Sequence, residues 1–356
     1  MSADAAAASD GTMPVREGSA FDEAKLECWL QENVADFAGP LTVEQFRGGQ
    51  SNPTFKLITP AKSYVMRRKP PGLTVAGAHA VDREARVMAA LALADYPVAR
   101  VYGLCTDDAV LGSWFYVMEH VEGRIEWDST LPALPPSSRA AHYDAMNAAI
   151  AALHSIDPAT VGLADFGKAG NYFERQINRW TRQYHADVDA GRDEAMDRLV
   201  ELLPARILPD EAPRIIHGDF RCDNLIFAPQ GPEIRAVLDW ELSTLGHPLA
   251  DFAYHAMVYR LPADIISGIA GADLVGLGIP GEREYLQAYC ERTGRAPVSE
   301  ENWAFCIAFN LFRLAAIYHG IKGRMIRGNA ASLHARTRAD NFPVLSRMAL
   351  RILDEG

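Results

Sequence analysis

His217-Gly218-Asp219-Phe220-Arg221-Cys222-Asp223-Asn224 runs into Leu225-Ile226-Phe227, and a little further on stands Ala236-Val237-Leu238-Asp239-Trp240-Glu241. An apolar pair, Ile215 and Ile216, leads into this polar loop, and a second apolar run leaves it. A third, Val237-Leu238, ends on Asp239. The pattern predicts a short hairpin with one carboxylate in its loop and another just beyond it.

The residue types suit one chemistry. The spacing His-x-Asp-x-x-x-x-Asn, followed by a further Asp, is that of a phosphoryl-transfer catalytic loop. Transfer to a hydroxyl needs a group that orients and deprotonates it, metal ions that neutralise the phosphates, and ligands for those ions. Asp219 suits the first role, because a carboxylate accepts the hydroxyl proton. Asn224 offers a metal a neutral carbonyl oxygen, and Asp239 the hard anionic oxygen that Mg²⁺ prefers. His217 is expected to hold the loop by hydrogen bonds rather than to do chemistry. Singly, each of these residues reads as ordinary turn chemistry. In this order and between apolar runs they point to catalysis.

Working outward toward the N-terminus, residues 1–18 are rich in Ala, Ser, Asp and Gly and read as a disordered tail. No basic region followed by an apolar stretch marks a signal peptide, and a reducing cytoplasm is the expected location. Phe21–Phe37 reads as a helix with Leu26, Trp29, Leu30 and Val34 on one face. Leu41–Phe46, Thr54–Ile58 and Ser63–Arg67 alternate as strands. Arg47-Gly48-Gly49-Gln50-Ser51-Asn52-Pro53 between them is turn chemistry; Gly48 and Gly49 would let backbone N–H groups approach phosphates, and a plain hairpin would look the same. Val81–Leu91 reads as a helix, and Arg100–Gly103 and Trp114–Glu119 as strands. The remainder is mainly helical: Tyr143–His154, Tyr172–Tyr184, Glu194–Leu203, Pro248–Tyr259, Glu282–Thr293, Glu300–Lys322 and Ser332–Ile352, the last broken or kinked at Pro343.

Composition sets limits. Over 356 residues, 49% are hydrophobic and 23% charged, ordinary for a globular chain. A net charge of −11 argues against general affinity for nucleic acid or an anionic membrane. No run reads as long and apolar enough to span a bilayer. The five cysteines are far apart and form no metal-ligand or disulfide pattern; Cys222, inside the loop, is expected to be a small buried residue.

Several stretches together resemble the aminoglycoside phosphotransferase/choline kinase superfamily, and within it the kinase-like domain fused to acyl-CoA dehydrogenases and its stand-alone bacterial relatives. They are Gly49–Phe55, Tyr64–Gly72, Asp82-Arg83-Glu84, Phe115–Arg124, Glu174-Arg175-Gln176, Trp180, the His217 loop and Leu238–Pro248. The resemblance covers about residues 46–341. It implies an α+β, bilobal, protein-kinase-like fold: a small antiparallel β N-lobe with one helix over 19–120, which binds nucleotide, and a larger, mainly helical C-lobe over 121–356 with the catalytic loop and substrate site.

It further implies ATP and Mg²⁺ as cofactors. Asp219 then matches the catalytic base, and Asn224 and Asp239 the metal ligands. Gly48, Gly49, Ser51 and Asn52 match the phosphate loop, Glu84 the helix acid that pairs with a strand cation, and Glu119, His120 and Val121 the hinge against adenine. Where protein kinases carry a strand lysine this chain has Arg67-Arg68-Lys69. Arg67 and Lys69 share one strand face and Arg68 takes the other; Arg67 is the favoured partner of Glu84, and three solvated charges are the alternative. The expected activity is phosphoryl transfer from ATP to a hydroxyl of a small molecule; the resemblance points to an anionic hydroxy acid or hydroxyacyl-CoA, which the basic stretch of Arg313, His319, Lys322, Arg324 and Arg327 would suit. A solvated basic face, an aminoglycoside or amino-alcohol kinase, and a catalytically silent nucleotide-binding module are the alternatives. Asp251 is expected to make local hydrogen bonds near a helix start.

Overall fold

The computed structural model of the protein describes residues 11–47, 52–70, 80–168, 170–328 and 333–356. In chain order its elements are β1 (Thr12–Met13), α1 (Glu23–Asn33), β2 (Thr42–Phe46), β3 (Thr54–Ile58), β4 (Ser63–Arg68), α2 (Val81–Ala92), β5 (Val101–Cys105), β6 (Phe115–Glu119) and α3 (Pro136–Ser155). There follow α4 (Tyr172–Ala186), α5 (Glu194–Leu202), β7 (Arg214–Ile216), β8 (Leu225–Phe227), β9 (Ile234–Val237), β10 (Thr244–Gly246), α6 (Pro248–Ala256), α7 (Glu282–Thr293), α8 (Glu300–Ile326) and α9 (Leu333–Glu355). The fold is α+β and kinase-like, as the sequence leads one to expect.

Backbone packing divides the chain into two units. One holds the chain up to Ala149, with Ala159–Leu163 and Arg221–Ser243; the other holds Ile150–Pro158, Ala164–Phe220 and Thr244–Gly356. The first therefore reaches beyond the lobe border drawn at residue 120.

In the first unit six strands form an antiparallel sheet in the order β1-β2-β3-β4-β6-β5. Alternation decides which residues go inward. Phe55 and Leu57 of β3, and Tyr64 and Met66 of β4, are fully or almost fully buried. They join Leu26 and Leu30 of α1 and Phe115 and Val117 of β6 in one apolar cluster. Each such side chain contributes about 1.5–3 kcal/mol by leaving water. Asp22 starts α1 by accepting from the amides of Ala24 and Lys25, both at 3.1 Å. Residues 1–10 of the expected tail lie outside the described residues, whereas Thr12 and Met13 pair with Phe46 and Gln45 of β2.

In the second unit α8 packs against α9, α6 and α4. By length and composition α8 is apolar enough to cross a bilayer, which the sequence reading did not expect; Trp303, Phe305, Phe309 and Phe312 on it are buried inside the protein. Asn171, Asp193 and Ser299 cap α4, α5 and α8 through the amide of the third residue of each helix. Helix α9 runs on through Pro343, where a break or kink was expected; Ser346 Oγ donates to the Pro343 carbonyl at 3.2 Å.

Strand pairing around the loop differs from the expected hairpin. Strand β7 pairs with β10 and β8 pairs with β9, so the two apolar runs that flank the loop are not partners. Periodicity marks strands but does not choose their neighbours.

Candidate active site

The first unit carries a charged cluster on the sheet. Strand alternation turns Arg67 and Arg68 to opposite faces. Arg68 is buried, and its Nε donates to Ser113 Oγ at 2.8 Å. Arg67 lies opposite Tyr116 of β6, and its Nε stands 3.0 Å from Glu84 Oε2. Of the two residues sharing that face, Arg67 is thus the partner of Glu84.

Glu84 sits in the first turn of α2, where the helix dipole favours an anion. It is 1% exposed. Asn52 Nδ2 donates to its Oε1 at 3.0 Å and Tyr116 OH to its Oε2 at 3.1 Å. Burial pushes the Glu84 carboxyl up to about 7, against the pull of Arg67. Burial also opposes the Arg67 charge, but Glu84 and Asp239 outweigh it and hold the guanidinium protonated.

The β8–β9 hairpin sets the other carboxylates of this unit. Leu225 is paired with Val237, and the Leu238 amide donates to the Asn224 carbonyl at 2.8 Å. Asn224 and Asp239 therefore stand at the same end of one hairpin. Asp239 has φ +64°, a left-handed conformation that Asp tolerates better than most residues. Its Oδ1 accepts from Arg67 Nη2 at 2.7 Å, and Glu241 Oε2 lies 3.4 Å from the same nitrogen. One guanidinium thus bridges Glu84, Asp239 and Glu241. The hairpin is pressed closely on Gly123: a Cβ there would fall 2.1 Å from the Phe227 carbonyl oxygen.

Cys222 is buried and its thiol is pushed up to about 12 by burial, so it is not a nucleophile near neutrality. Among the expected hinge residues, Glu119 pairs with Tyr64 and its amide donates to Arg100 O at 2.8 Å. His120 and Val121 follow, half-buried. Gly48, Gly49 and Ser51 lie outside the described residues.

In the second unit the loop up to Phe220 is clamped from several sides. Gly218 has φ +85°, which favours glycine. The amides of His217 and Gly218 donate to Asp251 Oδ2 and Oδ1, both at 2.7 Å. Asp251 is therefore not a local cap; it holds a segment more than thirty residues away. Burial works against the Asp251 charge, yet His154 and these amides keep its carboxyl below the usual range. His154 Nε2 lies 3.2 Å from Asp251 Oδ2, and its Nδ1 2.7 Å from Tyr289 OH. The Asp219 amide meets His217 Nδ1 at 3.2 Å, the structural role expected of that histidine. The Asp219 carboxylate accepts from Tyr254 OH at 2.6 Å. Arg313 donates to the Gly218 carbonyl at 2.9 Å.

Three of the four other cations of the basic stretch serve differently from the expectation. His319 meets the Gly191 carbonyl at 2.8 Å, Lys322 donates to Ala190 O at 2.7 Å, and Arg327 pairs with Asp187 and Asp189 at 2.6 and 2.9 Å. They fasten α8 and the residue that follows it to the 187–191 turn. A separate cavity of about 870 Å³ in this unit, lined by Arg260, Leu286, Cys290, Trp303 and Ile307 among others, contains none of the expected site residues.

Sequence reading did not find Tyr116 or Tyr254 in these particular roles. Arg313 was expected to present a cation toward the surroundings of Asp219, and it does reach that loop, though through the Gly218 carbonyl and the Tyr254 ring; nothing in the periodicity singles out the two tyrosines.

A model of the phosphotransferase enzyme family matches residues 42–298. Acyl-CoA dehydrogenase family member 10 of Mus musculus is 43% identical over 328 residues, 91% of this chain and 30% of that protein. Acyl-CoA dehydrogenase family member 11 of Homo sapiens is 40% identical over 322 residues, 88% of this chain and 40% of that protein. The chain thus spans less than half the length of these relatives. A crystal structure from Ralstonia eutropha, of a protein named for the aminoglycoside phosphotransferases, is 48% identical and superposes with a TM-score of 0.87, covering 94% of this chain and 99% of that one. A thermostable mutant of the aminoglycoside phosphotransferase APH(4)-Ia in complex with ADP and hygromycin B superposes at 0.57 with 13% identity, over 93% of this chain and 98% of that one, a likeness of fold alone.

Proposed function

The chain belongs to the phosphotransferase enzyme family, and from that premise we propose that it transfers the terminal phosphoryl group of ATP, with Mg²⁺, to a hydroxyl of a small anionic molecule, a hydroxy acid or its CoA thioester. The observation that carries this reading is the bridge from Arg67 to Glu84 and Asp239. It brings a cation and a carboxylate together, and in this reading the first meets the phosphates and the second their metal.

The donor set fits the metal. Mg²⁺ takes one or two protein oxygens and completes its octahedron with phosphate oxygens and water. Asp239, with its side chain 32% exposed, and Asn224 offer a hard anionic and a neutral oxygen from one hairpin. Bound there, Mg²⁺ would neutralise charge on the phosphates.

In this reading Arg67 holds phosphate oxygens with a planar fork, and Glu84 keeps that fork in place. Gly48, Gly49, Ser51 and Asn52 belong to the phosphate loop and Glu119, His120 and Val121 to the adenine hinge. Asp219 orients the acceptor hydroxyl and takes its proton. The hydroxyl oxygen forms the new bond to the γ-phosphorus, the bond from that phosphorus to the β–γ bridging oxygen breaks, and ADP leaves.

An anionic acceptor is supported by Arg313, a cation of α8 that reaches the Asp219 loop, and by the acyl-CoA dehydrogenase names of the relatives. The name of the Ralstonia relative favours a second reading, an aminoglycoside or amino-alcohol acceptor. A silent module is disfavoured because Asp219, Asn224 and Asp239 are all retained.

An ADP-release screen separates these readings. The panel is glycolate, lactate, 3-hydroxybutyrate, 3-hydroxybutyryl-CoA, choline and kanamycin. Release with hydroxy-acyl members is expected, and Asp219→Asn should lower it by about 10²–10⁴-fold while the MgATP-induced rise in Tm persists. Transfer to the amines alone would overturn the substrate class.

A further inference from the structure

We propose that Tyr254 is a positioning residue for phosphoryl transfer, acting through Asp219. The proposal rests on the reading of Asp219 as the base. The Tyr254 hydroxyl donates to Asp219 Oδ1 at 2.6 Å. A phenol bonded to a carboxylate at that distance makes a charge-assisted hydrogen bond, about twice as strong as a neutral one. It fixes the χ angles of a short side chain that would otherwise sample several rotamers, and so fixes where the remaining acceptor capacity of the carboxylate points.

The phenol is itself held rigidly. Tyr254 is 8% exposed and lies on α6, three residues after Asp251. The same short helix therefore grips the loop twice, through Asp251 on the backbone amides of His217 and Gly218 and through Tyr254 on the side chain of Asp219. The Arg313 guanidinium carbon lies 5.2 Å from the centroid of the Tyr254 ring and its Nη2 donates to Gly218 O at 2.9 Å. A cation against the ring face locks the ring plane, and with it the direction of the hydroxyl. Backbone, side chain and ring thus form a closed circuit around Asp219, the arrangement needed to hold a base to within a fraction of an ångström.

The test uses the full chain, with MgATP and water as acceptor, read as ADP release, in a double-mutant cycle of Tyr254→Phe and Asp219→Asn. Phenylalanine keeps the ring that Arg313 faces, so the fold and the MgATP-induced rise in Tm are expected to persist. Tyr254→Phe should lower kcat by about 10- to 100-fold with the KM for ATP unchanged within about twofold. In the Asp219→Asn background the same change should cost less than about twofold, because the base it positions is gone. An equal loss in both backgrounds marks a merely structural tyrosine and overturns the proposal. Wild-type turnover in Tyr254→Phe, with Asp219→Asn impaired, overturns it while sparing the base. An unimpaired Asp219→Asn overturns both.

Discussion

Replacing Arg67 by Met tests whether the buried cluster on the sheet is an ion pair that the fold depends on. Glu84 is 1% exposed and the Arg67 side chain 12% exposed. Methionine fills similar volume but leaves the carboxylate without its cation. Removing one partner of a buried pair typically costs about 3–5 kcal/mol. For a cooperative unit of about 150–250 residues each kcal/mol moves Tm by about 2–4 °C, so a fall of roughly 10 °C is expected. The loss should depend on pH in a defined direction. Glu84 titrates near 7 in the folded protein, above the 4.5 of a free side chain. Its burial is therefore tolerated fully at low pH, and the penalty grows as pH rises from about 4.5 through 7. Without Arg67 the folded protein favours the neutral acid even more, so the fall in Tm should be larger at pH 8 than at pH 6. Adding Glu84→Gln to Arg67→Met should restore most of the loss, because Asn52 and Tyr116 can still satisfy a neutral amide. Circular-dichroism melts of the wild type and the two variants at the two pH values decide it. A fall under about 2 °C at pH 8, or equal falls at both, would refute the reasoning.

Asp251→Asn leaves two amides competing for one carbonyl and removes the anion beside His154. A fall of about 3 kcal/mol in stability, together with at least a tenfold drop in ADP release, is expected from melts and turnover; unchanged turnover in a stable variant would show that the loop holds its shape unaided. His255, buried against Tyr285 and Phe220, is pushed down to about 4 by burial. Its contribution is present above pH 6.5 and lost as pH falls toward 4, up to about 3 kcal/mol. Urea midpoints should drop across that window in the wild type and less steeply in His255→Gln.

Much of the sheet was legible because alternation over five residues is a strong signal. Strands β2, β3, β4 and β6 fall where Val43, Phe55, Leu57, Met66 and Val117 put them. The same alternation distinguished Arg67 from Arg68 before any contact was known. Strand partners were less legible, since Ile215-Ile216 is as compatible with β10 as with the run after the loop. Asp251 was misread because a helix-start aspartate usually caps its own helix, and only tertiary structure brings residues 217 and 218 to it. Part of the basic run was misplaced for the same reason. His319, Lys322 and Arg327 face the 187–191 turn, and nothing local to α8 specifies that neighbour.

Strand β1 is two residues long, yet it occupies the outer flank of the six-stranded sheet beside β2. An unpaired flank of that kind is a template for self-association. Anyone trimming the polypeptide at residue 19, on the ground that its first residues are compositionally simple, would strip away this selvedge. Recombinant material so shortened would be prone to clump through Gln45 and Phe46, and its poor behaviour would be mistaken for an unstable core.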